Sequence, residues 1–332
     1  MNLHKLIRRL FSSIVVSVAV LWLMPEKAEA QIFVDEVGGT VGEYNLDGST
    51  VNSSFVSGLQ TSNGAFAVSG GQLFVDNIRN AHDVIDQYPI ADGSGSAGPL
   101  IIYGGNLSSL SHLAVSGGQI FVSGVVELPN LSFTQAIGEY NIADGSAVNP
   151  LLITASDGGL YNAALAVSGG NLFVLNPGGQ NVSGVLSEYN LDGTVVNSAL
   201  IAVPGNPTSV HYGLTISSGH LFFTYSNGNG NAFSVGEYNI DGSVVNASLI
   251  SMTNYTGGLA VGGGHILVGE VSGVAEYNLD GSLVNANFIP TSNSPNGVAF
   301  GEIPEPSTYA MLAGLVVLGV AMLRRQQNVK LG

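Results

Sequence analysis

Gly297-Val298-Ala299-Phe300, near one end of the chain, and Gln31-Ile32-Phe33-Val34, near the other, read as two halves of one repeating unit. A whole copy runs Phe66-Ala67-Val68-Ser69-Gly70-Gly71-Gln72-Leu73-Phe74-Val75. It recurs at Leu113 to Val122, Leu165 to Val174, Leu214 to Phe223 and Leu259 to Val268. The copy opened by Gly297 runs instead into Ile303-Pro304-Glu305-Pro306, and its missing strand stands at Gln31 to Val34. A unit divided between the two ends predicts a ring closed by pairing an N-terminal strand with a C-terminal one.

A second motif lies between successive copies of the first. Gly-Glu-Tyr-Asn-Leu/Ile-Asp-Gly is found at Gly42 to Gly48 and Gly236 to Gly242, and with one inserted residue at Gly138 to Gly145. Ser187 to Gly193 and Ala275 to Gly281 are variants, and Asp86-Gln87-Tyr88-Pro89 opens a degenerate copy ending in Asp92-Gly93. Each unit therefore holds four short apolar runs, A to D. Ser-Gly-Gly separates A from B, a variable segment separates B from C, and Asp-Gly separates C from D. Asp-Gly between apolar runs signals a hairpin, with a type I′ turn as the expected geometry. Runs A and B are apolar at nearly every position, which predicts burial on both faces. Four strands per period of about 40–50 residues is the signature of a β-propeller. The fold expected is all-β, a six-bladed β-propeller of four-stranded blades, which also removes exposed sheet edges.

The repeat resembles NHL-type and related six-bladed propellers through Gly258-Leu259-Ala260-Val261, Gly264-His265-Ile266-Leu267-Val268 and Glu276-Tyr277-Asn278-Leu279-Asp280-Gly281. The resemblance covers about residues 31–302 and implies fold far more than activity, since propellers host unrelated functions. Some six-bladed propellers are calcium-dependent lactonases or lyases with ligands converging on the channel. The residues themselves call for no cofactor; calcium enters only through this likeness, which assigns no ligands here.

The two ends read as transport signals. Lys5, Arg8 and Arg9 precede an apolar run from Leu10 to Leu23, and Ala28-Glu29-Ala30 offers a small-residue cleavage site. Residues 1–30 are thus expected to be a signal peptide with a helical apolar core, cut after Ala30; an uncleaved anchor is the alternative. At the other end Pro304-Glu305-Pro306 precedes an apolar stretch from Tyr309 to Leu323 and then Arg324-Arg325. This order resembles the PEP-CTERM sorting signal of bacterial surface proteins. The resemblance implies a transmembrane helix, basic residues held on the cytoplasmic side and cleavage near Pro-Glu-Pro by a membrane-embedded exosortase. An ordinary single-span anchor is the alternative. Three segments follow: 1–30 signal peptide, 31–302 propeller, 303–332 sorting signal. The partners expected are the secretion machinery and exosortase during export, with the membrane engaged through the C-terminal helix before processing. The expected destination is the cell envelope, the surface or the medium.

Between Gln31 and Glu302 stand twenty acidic residues and one basic residue, Arg79. That balance disfavours nucleic acid and anionic lipid, whose phosphates nothing would neutralise. The chain has no cysteine, which excludes disulfides and thiolate metal sites.

Candidate binding residues belong on the irregular side of the ring, where the B–C and D–A segments vary. Arg79, His82, Asp83 and Asp86 fall in one B–C segment, as an anion-binding or acid–base set or as a plain surface ion pair. Glu127, Asp157, His211, Tyr212, Tyr225 and Tyr255 fall in other irregular segments, where the tyrosines could stack on a sugar or simply pack. Asp47, Asp92, Asp144, Asp192, Asp241 and Asp280 read as turn residues, because no calcium-loop spacing surrounds them. Glu43, Glu139, Glu188, Glu237 and Glu276 repeat around the ring and read as structural. His220 and His265 read as exposed turn residues without the spacing of a zinc site, and no metal site is expected. No nucleophile elbow, H-E-x-x-H or phosphate loop occurs. The leading expectation is a non-enzymatic surface or extracellular-matrix protein that meets exopolysaccharide or other surface proteins. The alternative is a divalent-cation-dependent lyase or hydrolase working in the channel.

Overall fold

The computed structural model describes residues 31–301 apart from 61–63, 80–81, 92, 94–99, 103–106, 128–131, 156–159, 161, 177, 179–183, 205–212, 227–231 and 254. The expected signal peptide and sorting segment, with Ala28, Ala30, Pro304, Glu305, Pro306, Arg324, Arg325 and the helices expected there, lie outside the described residues.

The described strands form six four-stranded antiparallel sheets. The chain opens with β1 (Gln31–Glu36), β2 (Thr40–Asn45) and β3 (Thr50–Ser57). Blade 1 is β4 (Phe66–Ser69), β5 (Gln72–Arg79), β6 (His82–Pro89) and β7 (Ile101–Ile102). Blade 2 is β8 (Leu107–Ser116), β9 (Gln119–Glu127), β10 (Phe133–Asn141) and β11 (Ala147–Ala155). Blade 3 is β12 (Ala164–Ser168), β13 (Asn171–Asn176), β14 (Val185–Asn190) and β15 (Val195–Ala202). Blade 4 is β16 (Leu214–Ser217), β17 (His220–Ser226), β18 (Phe233–Asn239) and β19 (Val244–Met252). Blade 5 is β20 (Tyr255–Gly262), β21 (His265–Glu270), β22 (Gly273–Asn278) and β23 (Leu283–Pro290).

The last strand, β24 (Pro295–Phe300), is the inner strand of the sheet that β1 to β3 begin, in the order β24-β1-β2-β3. Ile32, Phe33 and Val34 stand opposite Phe300, Ala299 and Val298. The Gly301 amide donates to the Gln31 carbonyl at 2.6 Å, and the Val37 amide to the Ser294 carbonyl at 2.9 Å. The divided repeat thus closes the ring, as its sequence requires.

The second strand of each blade carries the core. Phe33, Phe74, Phe121, Phe173 and Phe223 are fully buried, and successive residues of one strand face opposite blade neighbours. Ile32 and Val34 pack with Leu267 and Val274 of blade 5, whereas Phe33 packs with Leu73, Val75 and Tyr88 of blade 1. The innermost strands are less buried than their apolar sequences suggest: all four residues of β4 and of β16 are half-buried, because these strands border the channel.

The Asp-Gly turns depart from the expected type I′ geometry. Type I′ geometry belongs to the Gly-Gly turns, where Gly70 and Gly71 have φ of 59° and 72° and Ser69 pairs directly with Gln72. In the Asp-Gly turns only the glycine has positive φ. The Gly48 amide donates to the Asn45 carbonyl at 3.0 Å and the Asn45 amide to the Ser49 carbonyl at 2.9 Å. That pattern is a type I turn followed by a left-handed glycine, and it keeps Leu46 and Asp47 out of the strained region. A side chain on Gly48 would also approach the Phe288 carbonyl of blade 5 to 2.6 Å. Gly193, Gly242 and Gly281 abut Leu152, Leu200 and Leu249 in the same manner, so each such turn seats on the outer strand of the preceding blade.

The outer strands expose Val51, Val148, Val196, Val245 and Val284. Their edge is interrupted at a recurring asparagine: the Asn52 side chain accepts from the Ser54 amide at 3.0 Å, and the register slips opposite it. Asn149, Asn197, Asn246 and Asn285 repeat the device, which blunts an edge that would otherwise template pairing.

Candidate functional site

The irregular end of the ring opens on the central channel, where all six blades contribute to a cavity of about 90 Å³. Gly64, Ala164, Gly213 and Gly258 hold its wall close to the backbone, and His112 and Asn296 supply the polar side chains. Among the described lining residues there is no carboxylate.

The acidic groups sit one strand further out, around blade 1. Arg79 and His82 are not in a long loop: Arg79 ends β5 and His82 begins β6, with the two strands in register from Gln72↔Pro89 to Arg79↔His82. The hairpin therefore sorts the four sequence candidates onto two faces by simple alternation. Arg79 and Asp86 share the face toward the closing blade. The Arg79 guanidinium donates to Asp86 Oδ2 through Nη2 at 2.7 Å and Nε at 3.2 Å, and Asn77 Nδ2 adds a bond at 2.7 Å. Asn77 in turn accepts from the Gln60 amide at 2.7 Å, tying blade 1 to the segment after β3. Asp86 is fully buried while the Arg79 side chain is 42% exposed, so the pair is an interface tie and not a free anion-binding cation. Asp83 projects to the other face, where its Oδ2 accepts from the Leu110 amide of blade 2 at 3.1 Å. The placement of the His82 side chain lies outside the described residues.

Two further carboxylates, absent from the sequence candidates, are the most perturbed groups. Asp35 in β1 and Asp76 in β5 follow Phe-Val at the same repeat position, where the other blades have Ser123, Leu175, Thr224 and Gly269. Both are fully buried; Asp35 has no hydrogen-bond partner for either oxygen, and Asp76 meets only the backbone amide of Asn77. Burial, helped by the neighbouring Glu36 charge, pushes Asp35 up to about 7. Burial, then Asp83, then Asp35, push Asp76 up to about 8. Aligning the repeats against one another would have exposed this pair of adjacent acids, because no other blade carries a charge there.

The tyrosine candidates are not a sugar-stacking rim. Tyr225 lies inside β17, 4% exposed, and its hydroxyl donates to the Ala247 carbonyl at 2.5 Å. Tyr255 opens β20, is equally buried and packs against Phe233 with ring centroids 5.8 Å apart. Neither offers a ring face to a ligand. Tyr212, His211 and Asp157 lie outside the described residues, as does the side chain of Glu127.

The repeated residues have structural partners. Asp47, Asp144, Asp192, Asp241 and Asp280 each accept from the amide and the hydroxyl two residues ahead, which holds their carboxyls below the usual range. Asp92 lies outside the described residues. The repeated glutamates meet the first residue of the neighbouring strand. Gln31 Nε2 donates to Glu43 Oε1, and Asn171 Nδ2 donates to Glu188 Oε1 at 2.5 Å. His220 and His265 fill this slot too, with Nδ1 at 2.8 Å and 3.0 Å from Glu237 and Glu276, so they are half-buried and face the glutamates instead of standing free in the turn. Gly42 of Gly-Glu-Tyr has its own reason, since a side chain there would meet the Tyr44 ring at 2.7 Å.

The fold and its appended signal define an all-β six-bladed propeller carrying a C-terminal address. Residues 302–326 match the PEP-CTERM protein-sorting motif. The chain therefore joins a propeller to a PEP-CTERM sorting signal, which implies an exported protein processed by exosortase. Comparison with curated proteins gives no match. Among solved structures, the chain is similar to TolB from Acinetobacter baumannii, at 12% identity, TM-score 0.59, covering 86% of this chain and 70% of that one. A chain of a nidogen/laminin complex aligns at 13% identity and TM-score 0.56, covering 82% and 99%. A putative 6-phosphogluconolactonase from Bacteroides fragilis aligns at 10% identity and TM-score 0.52, covering 83% and 98%. At these identities the likeness is one of fold, and it is compatible with an NHL-type propeller.

Proposed function

We propose that the protein is a non-enzymatic binding or structural component of the cell surface or extracellular matrix, released from its signal peptide after Ala30 and sorted through its C-terminal helix. The observation that carries this reading is the sorting motif attached to a propeller whose described channel lining is mostly glycine and apolar residues, with His112 and Asn296 as its polar side chains. Asp83, Asp86 and the repeated Glu and Asp residues bond within and between blades, which favours the irregular rim as the contact surface. An acidic surface with few cations suits neutral or cation-bridged polysaccharide, or another surface protein, in preference to phosphate polymers. Pull-down of the exported protein with native exopolysaccharide, together with glycan arrays, tests this. Selective retention supports the reading; no binding in either format, with an unchanged surface in a deletion strain, overturns it. Mass spectrometry of both mature termini tests the processing independently.

A further inference from the structure

We propose that the cavity at the junction of blade 5 and the closing blade binds a small alkylated ammonium ion, held by two phenylalanines and one carboxylate. The cavity measures about 200 Å³ and lies at the end of the ring that carries the Gly-Gly and Asp-Gly turns, away from the irregular rim. Ile32, Leu46, Leu267, Phe288 and Phe300 give it apolar walls, and His265 and Glu276 are its polar side chains. Phe288 and Phe300 are half-buried against the core of this junction, and Leu46 is exposed.

The cavity is made by departures from the repeat. The strand registers align Phe300 with Val68, Val115, Val167, Ile216 and Val261. They align Phe288 with Leu100, Leu152, Leu200 and Leu249 of blades 1 to 4. The closing blade has Phe55 in that slot, but it clusters with Val68. Gly262 stands where blades 1 to 4 have Ser69, Ser116, Ser168 and Ser217, and a side chain on it would meet the Phe300 ring at 2.8 Å. Glu276 lies 3.0 Å from His265 Nδ1. Blade 4 repeats that pair as Glu237 and His220, with Ser217, Leu249 and Val261 in the equivalent positions. The glutamate thus supplies a charge common to both junctions, whereas the glycine and two phenylalanines set this one apart.

The lining selects the ligand. Between Gln31 and Glu302 the sole lysine or arginine is Arg79, bound to Asp86 in blade 1, so no such cation answers an anion here. A sugar would bring many hydroxyls, and two polar side chains would leave most of them without partners. A metal ion needs several oxygen ligands in place of its hydration shell, which isoleucine, leucine and phenylalanine do not supply. An alkylated ammonium needs neither. Its methyl groups bury against apolar walls, and aromatic rings with a carboxylate answer its charge. The volume falls below the ~300–1,000 Å³ of sites for drug-sized ligands, which suits one small cation.

The test is a ligand-observed NMR titration of the exported protein at pH 8. The probes are choline and the neutral alcohol in which carbon replaces its ammonium nitrogen. Choline is expected to bind at least about tenfold more tightly than the alcohol. Glu276→Gln should weaken choline by about fivefold or more. Gly262→Ser combined with Phe300→Val restores the residues of the other blades, so it should fold as they do and lose choline. Glu237→Gln, the matching change in blade 4, should leave the affinity unchanged. No binding of choline, or equal binding of choline and the alcohol, overturns the proposal. So does choline binding that survives in the Gly262→Ser/Phe300→Val variant or falls equally in Glu237→Gln, which would assign it to the acidic surface at large.

Discussion

Replacing Phe33 by alanine isolates the closure of the ring. Phe33 is fully buried in β1, its ring 5.3 Å from that of Phe55, in a cluster with Val41, Val56, Leu73, Val75 and Tyr88. It occupies the same repeat position as Phe74 and Phe121, which lie inside continuous stretches of chain. Truncating a buried phenylalanine costs about 3–5 kcal/mol through lost transfer energy and the cavity left behind. For a domain of this size that is a fall of roughly 6–20 °C in Tm. If β1 is as integral as β5 or β9, Phe33→Ala should cost what Phe121→Ala costs, within about 1 kcal/mol. Urea unfolding of both variants, followed by far-UV circular dichroism, gives the comparison directly. A Phe33→Ala variant within about 1 kcal/mol of wild type, beside a Phe121→Ala variant that loses about 3 or more, would refute closure by the N-terminal strand.

The buried acids make stability depend on pH. The Asp35 carboxyl titrates near 3.8 when unfolded and about 7 when folded, so the native state holds the extra proton between those values. Stability should be highest below about pH 4 for this group, fall as pH rises to about 7 and stay low above it, by up to ~4 kcal/mol. In EDTA, Asp35→Asn should remove that share of the slope; an unchanged slope in chemical denaturation across pH 4–8 contradicts the assignment. Ser218 holds φ of 52° where other blades have glycine, and Ser218→Gly should stabilise by about 1 kcal/mol in urea unfolding. Gly242→Ala should cost at least about 1 kcal/mol more than Gly70→Ala. Both need positive φ, but only the Gly242 side chain would strike a backbone carbonyl, that of Leu200 at 2.7 Å. Tyr225→Phe strands the Ala247 carbonyl and should cost about 1–2 kcal/mol by the same assay.

The architecture was legible because it is written six times. Apolar runs, Gly-Gly and Asp-Gly repeat at a period that only stacked sheets satisfy, and the divided copy fixes closure. What escaped was whatever occurs once. The B–C segment of blade 1 is polar, so Arg79 to Asp86 read as a loop, whereas strand pairing continues to Arg79↔His82 and absorbs the polar residues as interface bonds. Tyr225 and Tyr255 looked like rim residues because they flank irregular segments; β17 and β20 extend far enough to bury them. The geometry of the Asp-Gly turns follows from loop length: three residues, Leu46 to Gly48, separate Asn45 from Ser49, so only the glycine takes the left-handed position, whereas the two-residue Gly-Gly turns need positive φ at both.

Blade 1 concentrates the departures from symmetry. It has Gln87 where other blades have the repeated glutamate, and the ring's one arginine. Asp76, Asp83 and Asp86 are its own buried acids, and Asp35 faces it from the closing blade. Blades 3, 4 and 5 repeat one solution of Glu paired to Asn or His and Asp locked in its turn, and such symmetric positions cannot distinguish one direction around the ring from another. A change of charge at blade 1 acts at both of its interfaces, and one of these is the junction that closes the ring. Protonation of Asp35 and Asp76 relieves the buried charge there, and its loss at higher pH weakens the contacts that β1 and β24 complete.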